Sequence, residues 1–559
     1  MCILPPSPQD DSTHYHVVSR LGYIQELRQQ LKTSGPAMLS MLLNKIPWLI
    51  SLRFVGNMGS NALAAAALAT TLCNVTGMSL SIGFSSAMST LTGQARGDWL
   101  SRNQSQRQFA TTNDNRAQKE SEEKAPFLSE NESFASQQPL LPLMYLYRGM
   151  FIQLVLIIPV GCWWLHGIKP LLVALGQGEI LSEMTQDYIR ILTIALWAYS
   201  TNWTITSWLQ AIEMADVPGY TAMVGLVFHI PFNILFIHFM GYLGVAMATA
   251  AFQVVQLLSV TVYLVGTSAG VSRVLKQCGA HASITKIPFR REATLALSIP
   301  GILQYLSLAI PGIVIISEWW ASEVSIFLSG TLMPNPNLAL DGMTIYQSIN
   351  TFCFMFPVGC SVAGSTRVGA FLGSGNAHGA AMAAKVSVMS ASVLSATMGL
   401  ILFWTPHSFF PSFFSPDNEV VDEASQLIPL LAIYVFGDGI QSACNGVIKG
   451  CGRQCIVMPI VVFAYWIVGV PLAYYISFTL HNGVMCEDSY FCGVRGLVTG
   501  MTTATFVHML LLALVVLCTT NWNLEAKRAK ERLSVDDHEG DQEMTSTLNI
   551  PDVRDEGVL

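Results

Sequence analysis

Residues 315 to 324 read IISEWWASEV and lie inside an apolar run from Leu295 to Met333. Glu318 and Glu323 are the groups there with chemistry to perform, because an ionised carboxylate in hydrocarbon is costly unless it is protonated, paired or wetted. Occupancy by a proton or a cation is the natural relief of that cost. At about 100° per residue the two acids stand about 140° apart on a straight helix, so they need not act as a pair. Alternatively one of them, Glu323 before Glu318, only hydrogen-bonds to a neighbouring helix. Asp438 is a third acid, placed mid-segment in IYVFGDGIQSACNG between glycines that permit close helix approach. Gln441 and Asn445 share its helical face at i+3 and i+7. Trp319 and Trp320 offer cation-π faces or merely pack, and at most one of two consecutive side chains faces a cavity squarely. Tyr346, Gln347, Asn74 and Asn202 are neutral polar groups that either hydrogen-bond a substrate or join helices. Arg53, Arg148 and Arg190, near segment ends, read as snorkelling anchors. His229 and His238, nine apart around Pro231, read as interfacial and not as metal ligands, and no metal or cofactor site is expected.

The elements that carry these groups are membrane-spanning. Of the 559 residues only 12% are charged, against about 25% in a soluble chain. Runs such as FIQLVLIIPVGCWWL at 151–165 suit a roughly 30 Å hydrocarbon core. Twelve apolar segments are expected near 36–56, 62–92, 143–165, 187–209, 217–238, 242–265, 294–330, 344–370, 383–404, 424–447, 456–478 and 498–520. The first sixteen residues lack a charged region followed by an apolar one, so no cleaved signal is expected. The polar stretches 98–140 and 521–559 read as disordered. Arg and Lys concentrate after the even-numbered segments, for example Arg273, Lys276, Lys286, Arg290 and Arg291, which by the positive-inside rule puts both termini in the cytoplasm. The sequons at Asn103 and Asn131 are then unused. Cys486 and Cys492 share an outer polar loop, where a disulfide is feasible in an oxidising compartment.

The two halves repeat one another. GFSSAMSTLTGQARG at 83–97 matches GCSVAGSTRVGAFLG at 359–373, pairing Ser89, Thr90 and Gly93 with Ser365, Thr366 and Gly369. Pro36 and Pro300, then Pro231 and Pro471, follow in the same order. A parallel repeat of six helices predicts two like-oriented lobes around a central cleft. The expected division is a cytoplasmic segment 1–35, an N-terminal lobe 36–265 with the insertion 98–140, a cytoplasmic linker 266–293, a C-terminal lobe 294–520 and a tail 521–559. Buried acids concentrate in the second half, so coupling machinery is expected mainly in the C-terminal lobe.

SEWWASEVSIFLSG, NALAAAALATTLCNVTG, SSAMSTLTGQARG, FPVGCSVAGSTRVGAFLGSG and GDGIQSACNGVIKGCGRQ, spread from about Pro36 to Thr520, resemble the multidrug and toxic compound extrusion family, especially its eukaryotic branch. The resemblance implies an all-α polytopic membrane protein of twelve transmembrane helices in two pseudo-symmetric six-helix lobes. It also implies secondary antiport of organic cations or other amphiphiles against protons, or sodium in some bacterial members. The family's EWWxxE acids fall on Glu318 and Glu323, and its tenth-helix acid on Asp438. Gln347 stands where vertebrate members carry a glutamate, and the helix-one aspartate of prokaryotic members has no match.

The function expected is a proton-coupled exporter of organic cations, drugs or metabolites, working as a monomer in the lipid bilayer of the plasma membrane or a vacuolar or organellar membrane. Glu318, Asp438 and Glu323 would carry proton and cation; Trp319, Trp320, Gln347, Tyr346, Asn74, Asn202 and Gln441 are substrate-binding candidates. Rival readings are an organic-anion exporter, for citrate for example, or a sodium-coupled one of the same fold. An intramembrane enzyme is a rival of another class, but HExxH, GxSxG and Walker A sequences are all absent. Nothing points to a nucleic-acid partner.

Overall fold

The computed structural model describes residues 11–56, 58–117, 140–280, 286–480 and 491–534. Its long helices are α1 (Asp11–Gly56), α2 (Ser60–Cys73, a π-helical turn Asn74–Met78, then Ser79–Ala117), α3 (Leu141–His166), α4 (Glu179–Ala211), α5 (Asp216–Met240) and α6 (Leu243–Gly266). They continue with α7 (Ile299–Leu332), α8 (Pro336–Gly373), α9 (Ala377–Trp404), α10 (Ile428–Cys451), α11 (Gln454–Thr479) and α12 (Val494–Thr519). Among the described residues nine of these are long and apolar enough to span, or ten with α10 counted together with the bent helix before it. Leu154, Val155, Ile158, Val227 and Ile234 are exposed, as the apolar face of a membrane-spanning helix is.

Several ends extend beyond the expected segments. Pro36 lies inside α1, not at its start, since the helix begins twenty-five residues earlier. Residues 98–117 of the insertion continue α2 as helix, aided by an Asp98–Arg102 ion pair at i,i+4, and 118–139 lie outside the described residues. Residues 522–534 of the tail form a further helix, with the Asn521 side chain accepting from Leu524 N at its start. Cys492 is disulfide-bonded, while Cys486, its expected partner, lies outside the described residues.

The repeat read from the sequence becomes the contact between the lobes. Gly93 and Gly369 face each other, a methyl group on Gly97 would overlap the carbonyl of Ala370, and one on Gly373 would overlap the carbonyl of Gln94. Each half presents the same motif to the other, as in a two-fold interface. The matched threonines behave alike too. Thr90 donates to the carbonyl of Lys449 in the last turn of α10, and Thr366 to that of Gln210 in the last turn of α4. Each carbonyl lies at a helix end and takes the threonine beside a backbone turn bond, from Gly452 N and Glu213 N respectively.

Polar side chains reinforce this sealed end. Arg367 of α8 binds Glu26 of α1 in a bidentate pair at 2.7 and 3.0 Å and reaches Glu213 at 3.5 Å. Arg96 of α2 meets the same Glu213 at 3.0 Å. Burial pushes the Glu213 carboxyl up, but the Arg96 and Arg367 guanidiniums more than offset this and hold it below the ordinary glutamate range. The first halves of α1 and α7 cross to the opposite lobe. Met38 packs with Cys360, Ala391 and Ala443, and Tyr305 and Leu308 with Met88 and Tyr145.

The C-terminal helix straddles both lobes at this end. Ala526 and Ala529 join the core of the second lobe, whereas Leu533 joins that of the first. Arg532 donates to Gln94 Oε1 of α2 at 3.1 Å and to the carbonyl of Cys451 at the end of α10 at 3.0 Å. A hydrogen bond to a charged donor is worth about 1.5–3 kcal/mol. Arg532→Ala is therefore expected to shift the sealed-to-open equilibrium about tenfold or more toward open. Spin labels at exposed Lys276 and His378 would read this as a growing long-distance population; an unchanged distribution would refute it.

Two arginine and histidine readings are corrected. Arg148 is no snorkelling anchor: it is fully buried and donates to the carbonyls of Ala296 and Leu295, tying α3 to the approach to α7. Leu295 and Ala296 end a short helix, Arg290–Ala296, and the last carbonyls of a helix lack an i+4 donor. His229 is buried rather than interfacial, its Nε2 lying 3.0 Å from the Pro47 carbonyl and 3.1 Å from both Ser51 Oγ and Asn233 Nδ2. Pro47 and Ser51 on α1 supply it with partners away from the membrane surface. Arg53, Arg190 and His238 are exposed.

Candidate functional site

Glu318 sits half a helix deep on α7 and is mostly covered, with 14% of its side chain exposed. Its Oε2 accepts from Gln441 Nε2 of α10 at 2.6 Å. Because the Gln441 amide donates there, its Oε1 is free to accept from the Tyr465 hydroxyl of α11, at 3.0 Å. Tyr465 has then spent its one proton, so the Thr505 hydroxyl 3.1 Å away donates to it. The chain Thr505, Tyr465, Gln441, Glu318 is thus a directed series of hydrogen bonds that orients the Glu318 carboxyl. His508 of α12, fully buried, brings Nδ1 to 3.4 Å from the same Oε2 and stacks edge-on against Tyr465.

Asp438, one turn before Gln441, is 7% exposed and lies within electrostatic range of Glu318. Its neighbouring glycines do what their position suggested: Gly439 lies against Ser395 and Pro357, and Gly437 against the ring of Phe506. This draws α10 onto α8, α9 and α12. Tyr346 and Tyr434 stack edge-to-face at 6.4 Å beside Asp438, and Lys449 is in electrostatic range of Glu318. Two covered carboxylates in electrostatic range are mutually repulsive when both are charged, and a proton or a cation held by either relieves both the repulsion and the desolvation.

Local backbone shape aims these groups. In α11 residues Val462–Gly469 are π-helical, and that stretch carries both Tyr465 and Trp466. Trp466 Nε1 donates to Ser317 Oγ beside Glu318 at 3.2 Å. A π-helical insertion widens the turn and often coincides with a working site.

The other candidates divide. Trp320 bridges the lobes by donating to Ser79 Oγ of α2 at 3.1 Å, whereas Trp319 is 39% exposed and edge-on to Phe354. Glu323 is apart from the Glu318–Asp438 pocket, and its electrostatic neighbour is Lys45 of α1. Gln347 is half-buried, Asn202 buried and Asn74 exposed in the π-helical turn of α2. No hydrogen bond joins these three to the acid pocket among the described residues.

Sequence reasoning missed His508, Tyr465, Thr505 and Lys45. His508 and Lys45 carried a usable signal, since an ionisable residue inside an apolar segment is a site candidate by itself. Tyr465 and Thr505, neutral groups in apolar runs, carried none. Among the described residues no group of His, Cys, Asp and Glu has the arrangement of a metal site.

Among the described residues, twelve long helices in two repeat-related lobes, with acids covered between helices of one lobe, are the architecture of a polytopic membrane transporter. The MatE family model matches residues 36–99, 136–235 and 312–475, more than half of the chain. The chain belongs to this family of transporters and is not an enzyme. Among relatives, Protein DETOXIFICATION 14 of Arabidopsis thaliana is 27% identical over 522 residues, 93% of either chain. Protein DETOXIFICATION 16 of the same plant is 28% identical over 512 residues, 91% of either chain. The crystal structure of the eukaryotic MATE transporter AtDTX14 superposes with a TM-score of 0.73 at 26% identity, covering 91% of this chain and 99% of that one. A Vibrio cholerae MATE transporter superposes at 0.68 with 14% identity, covering 90% of this chain and all of that one, which shows the shared fold.

Proposed function

We propose that the protein is a proton-coupled antiporter that exports organic cations by alternating access, working as a monomer. The observation that carries this is the coupled acids Glu318 and Asp438, the first held in place by the hydrogen-bond chain from Thr505 through Tyr465 to Gln441 and flanked by His508. A substrate cation and a proton compete for the same negative charge. A proton arriving at Glu318 converts its carboxylate to the neutral acid, the cation loses its counter-charge and leaves, and reorientation delivers the proton to the other side.

The concentration of Arg and Lys after the even-numbered segments supports a cytoplasmic assignment of the sealed end. On that assignment the sealed state faces outward, and the membrane is the plasma membrane or a vacuolar or organellar one. Glu323, Trp319, Trp320, Tyr346, Gln347, Asn74, Asn202 and Gln441 remain the candidate cavity groups. Proteoliposomes holding the purified protein test the reading: a lumen more acidic than the outside, with protons leaving, should drive accumulation of tetraethylammonium inside, and an equal sodium gradient should not. Accumulation under sodium alone would overturn it.

A further inference from the structure

Lys45 is a cation in the middle of a spanning helix, and the coupling chemistry above does not use it. It lies eleven residues before the end of α1 at Gly56, about 16 Å at 1.5 Å per residue. That is near the mid-plane of a roughly 30 Å hydrocarbon core. Glu323 lies nine residues before the end of α7 at Leu332, at closely similar depth if both helices end at one surface. The two belong to opposite halves of the repeat and are in electrostatic range of each other. Among the described residues the Lys45 ammonium makes no hydrogen bond and no direct ion pair.

Its position marks where the lobes part. Toward the sealed end, α1 is held by the second lobe: Gln30 donates to the carbonyl of Ala383, and Met38 packs on Gly359. Past Lys45, α1 is held by the first lobe through Pro47 and Ser51 to His229. Lys45 and Glu323 are both half-buried, so protein does not seal either of them on every side. A lysine at this depth is tolerated only against an anion or water, and its compact ammonium with three donors suits a carboxylate.

We propose that Lys45 is an anion-binding subsite of the transport cavity and that the substrates are amphoteric: a carboxylate binds Lys45 while the cationic group binds the acids of α7 and α10. In the substrate-free protein Glu323 stands in for that carboxylate. The inference rests on the organic-cation reading and adds the second charge to the substrate.

The test uses a matched pair of dyes, a rhodamine methyl ester, which is a permanent cation, and its free acid, a zwitterion. Binding to the purified full-length protein in detergent is followed by fluorescence anisotropy, without any gradient. The ratio of acid to ester affinity should fall about tenfold or more in Lys45→Gln, survive in Lys45→Arg, and rise in Glu323→Gln, where the competing carboxylate is gone. An unchanged ratio in Lys45→Gln, or no acid binding to the wild type, overturns the proposal. Failure of proton coupling would show separately, as loss of gradient-driven uptake of the ester with the binding ratio intact.

Discussion

Glu318→Gln should abolish gradient-driven accumulation of tetraethylammonium. With one proton exchanged per cation, a gradient of two pH units supplies about 2.7 kcal/mol, at roughly 1.36 kcal/mol per unit. The wild type can then concentrate the cation up to about 100-fold. The variant keeps the shape of the side chain and a hydrogen-bonding amide for Gln441, but it has no proton to exchange and no negative charge for the cation. Accumulation should collapse to simple equilibration, with slow entry at best. Asp438 would remain as the single acid of the pocket, without the neighbour whose charge makes proton and substrate compete. Radiolabelled uptake in proteoliposomes with the inner pH set two units below the outer reads the difference directly. Full accumulation by Glu318→Gln would remove Glu318 from the coupling mechanism.

The acids could be named from sequence because the cost of burying a charge is written in the residue type and the apolarity around it. Glu318 and Asp438 qualified on that ground alone, and the fold brings them into electrostatic range of each other. That Glu323 stands apart was foreshadowed by its angle from Glu318. What helical position does not reveal is the partner on another helix. Trp319 and Trp320 looked equivalent in sequence, yet one hydrogen-bonds across the lobes to Ser79 and the other turns an exposed face outward. Tyr465 takes part because of a π-helical stretch that no simple 3.6-residue periodicity marks. Arg148 and His229 were misplaced for a common reason: position near a segment end or a proline favours the interface only when the interior offers no carbonyl, and here it offers several. Polarity also misled at 98–117 and 522–534, where helices continue without an apolar run because they extend existing helices or dock on both lobes.

The repeat was the most productive feature of the sequence, and its glycines carry a sharp consequence. Gly97→Val should prevent the lobes from sealing, because the new side chain would meet the backbone carbonyl of Ala370, which no rotamer change relieves. Gly373→Val should do the same from the other half, against the carbonyl of Gln94. Overpacking of this kind costs about 1–3 kcal/mol, enough to shift the sealed population roughly five- to 150-fold at about 1.4 kcal/mol per factor of ten. Transport should fall with it, since alternating access needs both states. Spin labels at Lys276 and His378 should report separation of this end in either variant. Gly93 on the same helix makes the argument specific. A methyl group there would find its nearest neighbours at 3.8 Å, an ordinary contact, and alanine is a better helix former than glycine by about 1 kcal/mol. Gly93→Ala should therefore seal normally. If it opened the interface as widely as Gly97→Val, close glycine contact along the whole crossing, and not overlap at Gly97, would be what holds the lobes together.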